Sequence, residues 1–260
     1  MRDIRIGKHI ISVYDSIDEL PIVRYNKYTK YMMIESGVGS DFDSVNRHVE
    51  RIGGFIKNGQ TQYAMIELYN LQQGIMLGLN EFNPLHYSFA CLVSAIDTIP
   101  CDDITDDGLK RTLEKIEHIM PHTMLAQELE VSKKKIDNEM DMYFPNMGDT
   151  SSGKEYYTKL RQRTLLVLEN IISGKDNGRV ARINDITNDM VTFSKPLVFG
   201  GNDSAEIRHE KNFESTCLIM GKELNTNPKL LTTLEFYNAI EYLENQAKEQ
   251  KKRQMKSKRK

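Results

Sequence analysis

The chain predicts a mainly α-helical fold: a multi-helix bundle with a short N-terminal β-hairpin and a smaller C-terminal helical domain. Three observations predict it. Apolar residues recur at spacings of three and four through most of the 260 residues. Thirteen Met and no Trp suit the irregular gaps between packed helices, which the flexible Met side chain fills well. A period of two occurs only near the N-terminus, where Ile4 and Ile6 alternate with charged neighbours.

The hairpin is expected over residues 3–14, with Gly7-Lys8 turning the chain ahead of Ile10, Ile11 and Val13. From Pro21 the pattern becomes helical. A first helix, 21–35, is closed by Ser36-Gly37-Val38-Gly39-Ser40, whose glycines read as a helix–helix turn rather than an anion-binding nest. A second starts at Asp41, presents Val45, Val49, Ile52 and Ile56 on one face, and ends at Asn58-Gly59. A third, 60–79, aligns Met65, Leu68, Gln72, Ile75 and Leu79. Asn83-Pro84 opens a fourth, since Pro is favoured in a first helical turn. Its Leu85, Phe89, Leu92, Val93 and Ile96 make it apolar nearly all round, which marks the centre of the N-terminal bundle.

Beyond Pro100, helices are expected at 105–120 and 123–143. The stretch PNMGDTSSG, 145–153, is the clearest break in the chain. It divides a hairpin-plus-bundle domain, 1–145, from a C-terminal helical domain, 154–250, with 146–153 as linker and 251–260 as a basic tail. In the second domain a helix at 154–173 precedes a loop-rich stretch holding Gly174, Gly178, Pro196, Gly200 and Gly201, and another helix follows at 204–222. The last helix begins near Asn227-Pro228 or at Thr232, where Thr232 and Glu235 match a capping box. Phe236, Ile240, Leu243 and Ala247 line one of its faces, and without Pro or Gly after Pro228 it can run on into the tail.

Charge is unevenly distributed. The chain has 35 Lys and Arg against 37 Asp and Glu, yet seven of the cations (Lys251, Lys252, Arg253, Lys256, Lys258, Arg259 and Lys260) fall in the last ten residues. The preceding body is therefore at a formal charge of −9. An acidic body with a cationic end points to a polyanionic partner, either nucleic acid or an acidic protein surface. Seven cations would bind phosphates in a salt-dependent, sequence-independent way, and no aromatic follows Tyr242 to stack on bases. No apolar run approaches the ~18 residues of a membrane span. MRDIRIGKHIISVY lacks the continuous apolar segment of a secretory signal. Cys91, Cys101 and Cys217, odd in number and irregular in spacing, do not make a disulfide framework, so a reducing cytosolic setting is expected.

Several motifs imitate active chemistry. Gly148 to Lys154 fits the first seven positions of a phosphate-binding loop, in which amides and lysine cradle phosphates and the next hydroxyl meets Mg²⁺. Here the next residue is Glu155, and the preceding DNEMDMYFPN lacks the β-branched run of a buried strand. The stretch reads as an interdomain loop entering a helix. Asp103 to Gly108, with Glu114 at the twelfth position, imitates a calcium loop. Pro100 interrupts the entering helix, however, and Leu109, Leu113, Ile116 and Met120 already run at helical spacing. Thr105 is the simpler helix N-cap, with Asp106 and Asp107 at the positive end of the helix dipole. His118 and His122 have the spacing of two metal ligands, but Pro121 between them breaks the shared face, and both are assigned to loop or surface. His9, His48, His86 and His209 have no evident nucleophile partner, and Cys91 reads as a small core residue. No catalytic, cofactor or metal residue is therefore assigned, and a non-enzymatic protein is expected.

The segments Ser16-Ile17-Asp18-Glu19-Leu20-Pro21, YNKYTKYMMIESGVGSDFDSVNRHVERI (25–52) and TLEFYNAIEYLENQ (233–246) together resemble helical proteins encoded by tailed bacteriophages of gut Bacteroidales, including crAss-like phages. The last segment is also similar to tail-assembly helper proteins. What the resemblance implies is a structural or assembly protein of the virion, at the neck, tail or interior, working through protein–protein contacts as an oligomer within an assembly. It implies a place in the virion, or in the host cytoplasm during assembly. It supplies no functional residue. The other reading of the basic tail is a nucleic-acid-binding regulator in the host cytosol.

Overall fold

The computed structural model describes residues 1–39, 41–145, 151–174, 178–193 and 195–257. Gly7 takes a φ of +59°, a conformation that costs a residue without Cβ little. The turn it makes lets Arg2–Ile6 (β1) and His9–Val13 (β2) pair antiparallel, with buried Ile4 opposite buried Ile11. The expected hairpin is present, and it is half of a four-stranded antiparallel sheet of order β1-β2-β3-β4.

The helices follow the 3.6-residue period: Ile22–Gly37 (α1), Phe42–Lys57 (α2), Thr61–Leu79 (α3) and Pro84–Leu92 (α4) precede Val93–Ile96 (β3) and Ile99–Pro100 (β4). Asp106–Glu117 (α5), His122–Tyr143 (α6), Ser151–Ser173 (α7), Arg179–Phe193 (α8), Ala205–Leu224 (α9) and Thr233–Ser257 (α10) complete the described elements. Local signals fixed several ends. Asp41 accepts a hydrogen bond from Ser44 N at 2.7 Å and starts α2, and Thr105 accepts from Gly108 N at 3.1 Å and starts α5. The capping box of α10 closes both ways, Thr232 N donating to Glu235 Oε2 at 2.9 Å and Glu235 N to Thr232 Oγ1 at 3.3 Å.

Two expectations are corrected. The fourth helix was expected to carry Val93 and Ile96 on its face, but it stops at Leu92 and those residues form β3, paired with β2. An apolar run without polar punctuation fits a buried helix or a buried strand equally, and the β-branched Val93 and Ile96 favour the strand. Asp97 and Thr98, both at positive φ (49° and 69°), make the two-residue turn into β4. Likewise the loop-rich stretch between Gly174 and Gly201 contains α8. Its flanking Gly174 and Gly178 are turn residues at positive φ, and the helix between Gly178 and Lys195 pairs with α7 through Arg163 Nε to Thr187 Oγ1 at 2.9 Å and Lys159 to Asp189 at 3.1 Å.

Contacts group the chain into two compact units that are discontinuous in sequence, unlike the contiguous 1–145 and 154–250 partition. The first comprises residues 1–32, 85–144 and 208–260, and the second 33–84 and 145–207. In the first unit the sheet and the buried residues of α4, α5 and α6 (Phe89, Leu92, Leu109, Ile116, Leu125, Ile136) form the interior. Ile22, Cys217, Met220 and Phe236 make a second cluster, which seats the start of α10. There Thr233 N donates to Leu20 O at 2.8 Å and Ile22 N to Leu231 O at 3.0 Å.

Arg24, buried on α1, organises the α4–β3 junction. Its guanidinium donates to Cys91 O at 3.2 Å, to Val93 O at 2.9 Å and to Cys101 O, while Tyr14 N donates to Leu92 O at 2.8 Å. The last carbonyls of a helix have no partner within it, and those of Cys91 and Leu92 are satisfied by a cation and by the amide that follows β2. Arg24→Met removes the guanidinium from the Cys91, Val93 and Cys101 carbonyls and is expected to cost about 2–5 kcal/mol of unfolding free energy in urea. Arg24→Lys should recover only part of this, and a loss for Arg24→Met below about 1 kcal/mol would refute the assigned role.

Candidate functional site

In the second unit the apolar stripes of α2 and α3 face outward. Of the stripes Val45, Val49, Ile52, Ile56 and Met65, Leu68, Gln72, Ile75, Leu79, the residues Val49, Ile56, Met65, Leu68, Ile75 and Leu79 are all exposed, Leu79 at 74%. The buried residues are instead Ser44, His48, Gly54 and Phe55 on α2 and Ala64, Glu67, Asn70 and Gly74 on α3.

What α3 covers explains this. Its inner side meets main chain, which demands polar partners. Asn70 Nδ2 donates to Leu197 O at 2.7 Å and its Oδ1 accepts from Phe199 N at 3.2 Å, so one amide side chain pairs with residues 197–199 as a strand would. Gly74 permits close approach of the Val38 and Gly39 carbonyls, since a Cβ there would lie 2.7 Å from Gly39 O. His48 Nε2 donates to Val38 O at 2.8 Å. Glu67, fully buried, lies 2.9 Å from Arg51 Nε and 3.3 Å from His48 Nδ1. Neither contact is aligned as a hydrogen bond, so the carboxylate is held mainly by the charge of Arg51. With polar groups engaged inward, the apolar side of each helix is left facing outward.

Between Phe42, Val45 and His48 on α2 and Leu71, Ile75 and Leu79 on α3 lies an open groove of about 310 Å³. On α7, Leu165, Leu168 and Ile172 are exposed at the same helical spacing, Ile172 at 84%. Isolated exposed apolar residues are ordinary, but apolar stripes along helices are the usual mark of a surface that another molecule covers.

The cationic tail begins on α10, which runs through Ser257, so the helix does continue past Lys251. Lys251, Lys252 and Arg253 are exposed, with Arg253 3.6 Å from Glu249. The side chain of Lys256 and the whole of Lys258, Arg259 and Lys260 lie outside the described residues.

Of the imitated motifs, Gly148, Asp149 and Thr150 lie outside the described residues, while Ser151 to Lys154 begin α7. In the calcium-loop segment, Asp103 accepts from Thr105 and Arg111, and Asp106 from Lys27 at 2.7 Å and Tyr31 at 2.8 Å. Hydrogen bonds from Thr105 hold the Asp103 carboxyl below its usual range. Cys91 is fully buried, and burial pushes its thiol up to about 12, so it is a core residue and no nucleophile.

His118 and His122 do not share a helix face, because Pro121 is the N-cap of α6. His122 instead joins two residues that its sequence neighbourhood does not suggest. His86, Glu117 and His122 each place a ligand atom within 4.8 Å of the other two. The two imidazole rings stack at 4.7 Å with 12° between their planes, and Glu117 Oε1 lies 3.8 Å from His86 Nδ1. Burial lowers the His86 pKa, as does the neighbouring His122, against an opposite pull from Glu117. Among the described residues this is the one cluster of metal-ligand type.

No family model, curated protein or solved structure matches the chain. No described helix is long and apolar enough to cross a membrane.

Proposed function

We propose that this chain is a non-enzymatic structural or assembly protein of a tailed phage, at the neck, tail or virion interior, which works through protein–protein contacts. The observation that carries the contact role is the outward apolar side of α2 and α3, formed by Val49, Ile56, Met65, Leu68, Ile75 and Leu79. The phage setting rests on the resemblance of residues 16–21, 25–52 and 233–246. In this reading the helical faces supply binding energy through apolar burial, at about 25 cal/mol per Å² before association costs. The tail from Lys251 onward supplies attraction to DNA or to an acidic partner surface.

The faces can be tested without disturbing the interior. A Met65→Glu, Leu68→Lys, Ile75→Glu variant changes exposed positions only, so its melting temperature should stay close to that of the parent chain. Light scattering across a concentration series should show the parent self-associating and the variant remaining monomeric; equal association of both would remove these faces from the contact.

The tail has a separate readout. Deleting residues 251–260 should weaken binding to duplex DNA and reduce the slope of log K against log salt by at most about 6, the limit for seven phosphate contacts. A fluorescence anisotropy titration showing the same affinity and slope with and without the tail would rule out DNA as its target.

A further inference from the structure

Three helix ends of the first unit converge on one spot. His86 is in the first turn of α4, Glu117 is the last residue of α5, and His122 is the first of α6. We propose that His86, Glu117 and His122 bind one divalent transition-metal ion, of which zinc is the best match, with a fourth position left to water.

The donor set selects the metal class. Two imidazole nitrogens and one carboxylate oxygen suit zinc and its borderline neighbours, whereas calcium and magnesium require all-oxygen shells. Bonds of about 2.0–2.2 Å to a tetrahedral ion place ligand atoms roughly 3.3 Å apart. The present separations, all within 4.8 Å, exceed that value by no more than about 1.5 Å, the scale of a side-chain rotation. The residues that must rotate are those free to do so: the Glu117 side chain is 42% accessible and His122 is exposed, while the His86 side chain, 14% accessible, is held. The α5–α6 corner beneath Glu117 and His122 is anchored by Ile116, Met120 and Leu125, all buried.

Electrostatics assigns the decisive role to the carboxylate. The N-terminal ends of α4 and α6 direct positive potential at the site, which disfavours a cation. The C-terminal end of α5 and the negative charge of Glu117 oppose it. Removing that charge while keeping the shape should therefore be as damaging as removing an imidazole. The bound ion would tie the start of α4 to the α5–α6 corner, independently of the apolar faces of the second unit.

Calorimetric titration of the chelator-treated full chain with zinc sulfate tests this. One ion per chain is expected. Glu117→Gln and His122→Ala, both at exposed positions, should each weaken zinc binding by at least about tenfold, and His118→Ala should leave it unchanged. Visible absorption of a cobalt-substituted sample should be lost in the same two variants. Melting curves of the variants without metal, matching the parent, would establish that they are folded. Absence of zinc binding by the folded parent overturns the proposal, as does undiminished binding in either Glu117→Gln or His122→Ala.

Discussion

The first unit depends on one buried cation. Arg24 reaches from α1 to the carbonyls of Cys91, Val93 and Cys101, the point where the chain leaves a helix and enters a sheet. A helix that stops inside a protein leaves several carbonyls without partners, and water is excluded there because Cys91, Leu92 and Val93 are wholly buried. A guanidinium is well suited to the task, having several donors in a fixed plane. Its own desolvation is offset by those carbonyls and by the Tyr14 ring, 5.6 Å away. Once that junction is fixed, β3 can pair with β2, and the N-terminal hairpin becomes part of a larger sheet.

The second unit answers a similar demand with the opposite consequence. Main-chain segments at 38–39 and 197–199 run against α3, and Asn70, Gly74 and the His48 ring meet them. Satisfying those groups fixes the rotation of α2 and α3 about their own axes. The apolar stripes then face outward, with no described residue covering Leu79 or Ile56. An exposed face of this kind is a solubility burden for a chain acting alone and an asset for one that acts by docking. The proposed contact role follows from this orientation.

Legibility in the sequence tracked the range of each signal. The hairpin turn at Gly7-Lys8, the caps at Asp41 and Thr105 and the capping box of Thr232 and Glu235 each depend on a few adjacent residues, and each was readable. The end of α4 was not, because Val93 and Ile96 prolong a helical period and the deciding partner, Arg24, lies some seventy residues earlier. The direction of the α2 and α3 stripes was hidden for a related reason: periodicity identifies a face without saying what the face meets. His86, Glu117 and His122 come from three helix ends, and in the sequence only the spacing of His118 and His122 was visible, which Pro121 argued against as a shared face. Glu67, a single acid within an apolar helix, was the available hint that polar groups point inward there.

The most direct test of that inward–outward assignment is methionine oxidation by dilute peroxide, read residue by residue in mass spectra. In dilute solution Met65 and Met76, 61% and 51% exposed, should oxidise readily, while Met120 and Met220, at 2% and 1%, resist. In the assembled state Met65 should become protected and Met120 should be unchanged. Protection of Met65 and Met76 equal to that of Met120 in the dilute monomer would contradict the account, because it would mean that the apolar side of α3 is its core.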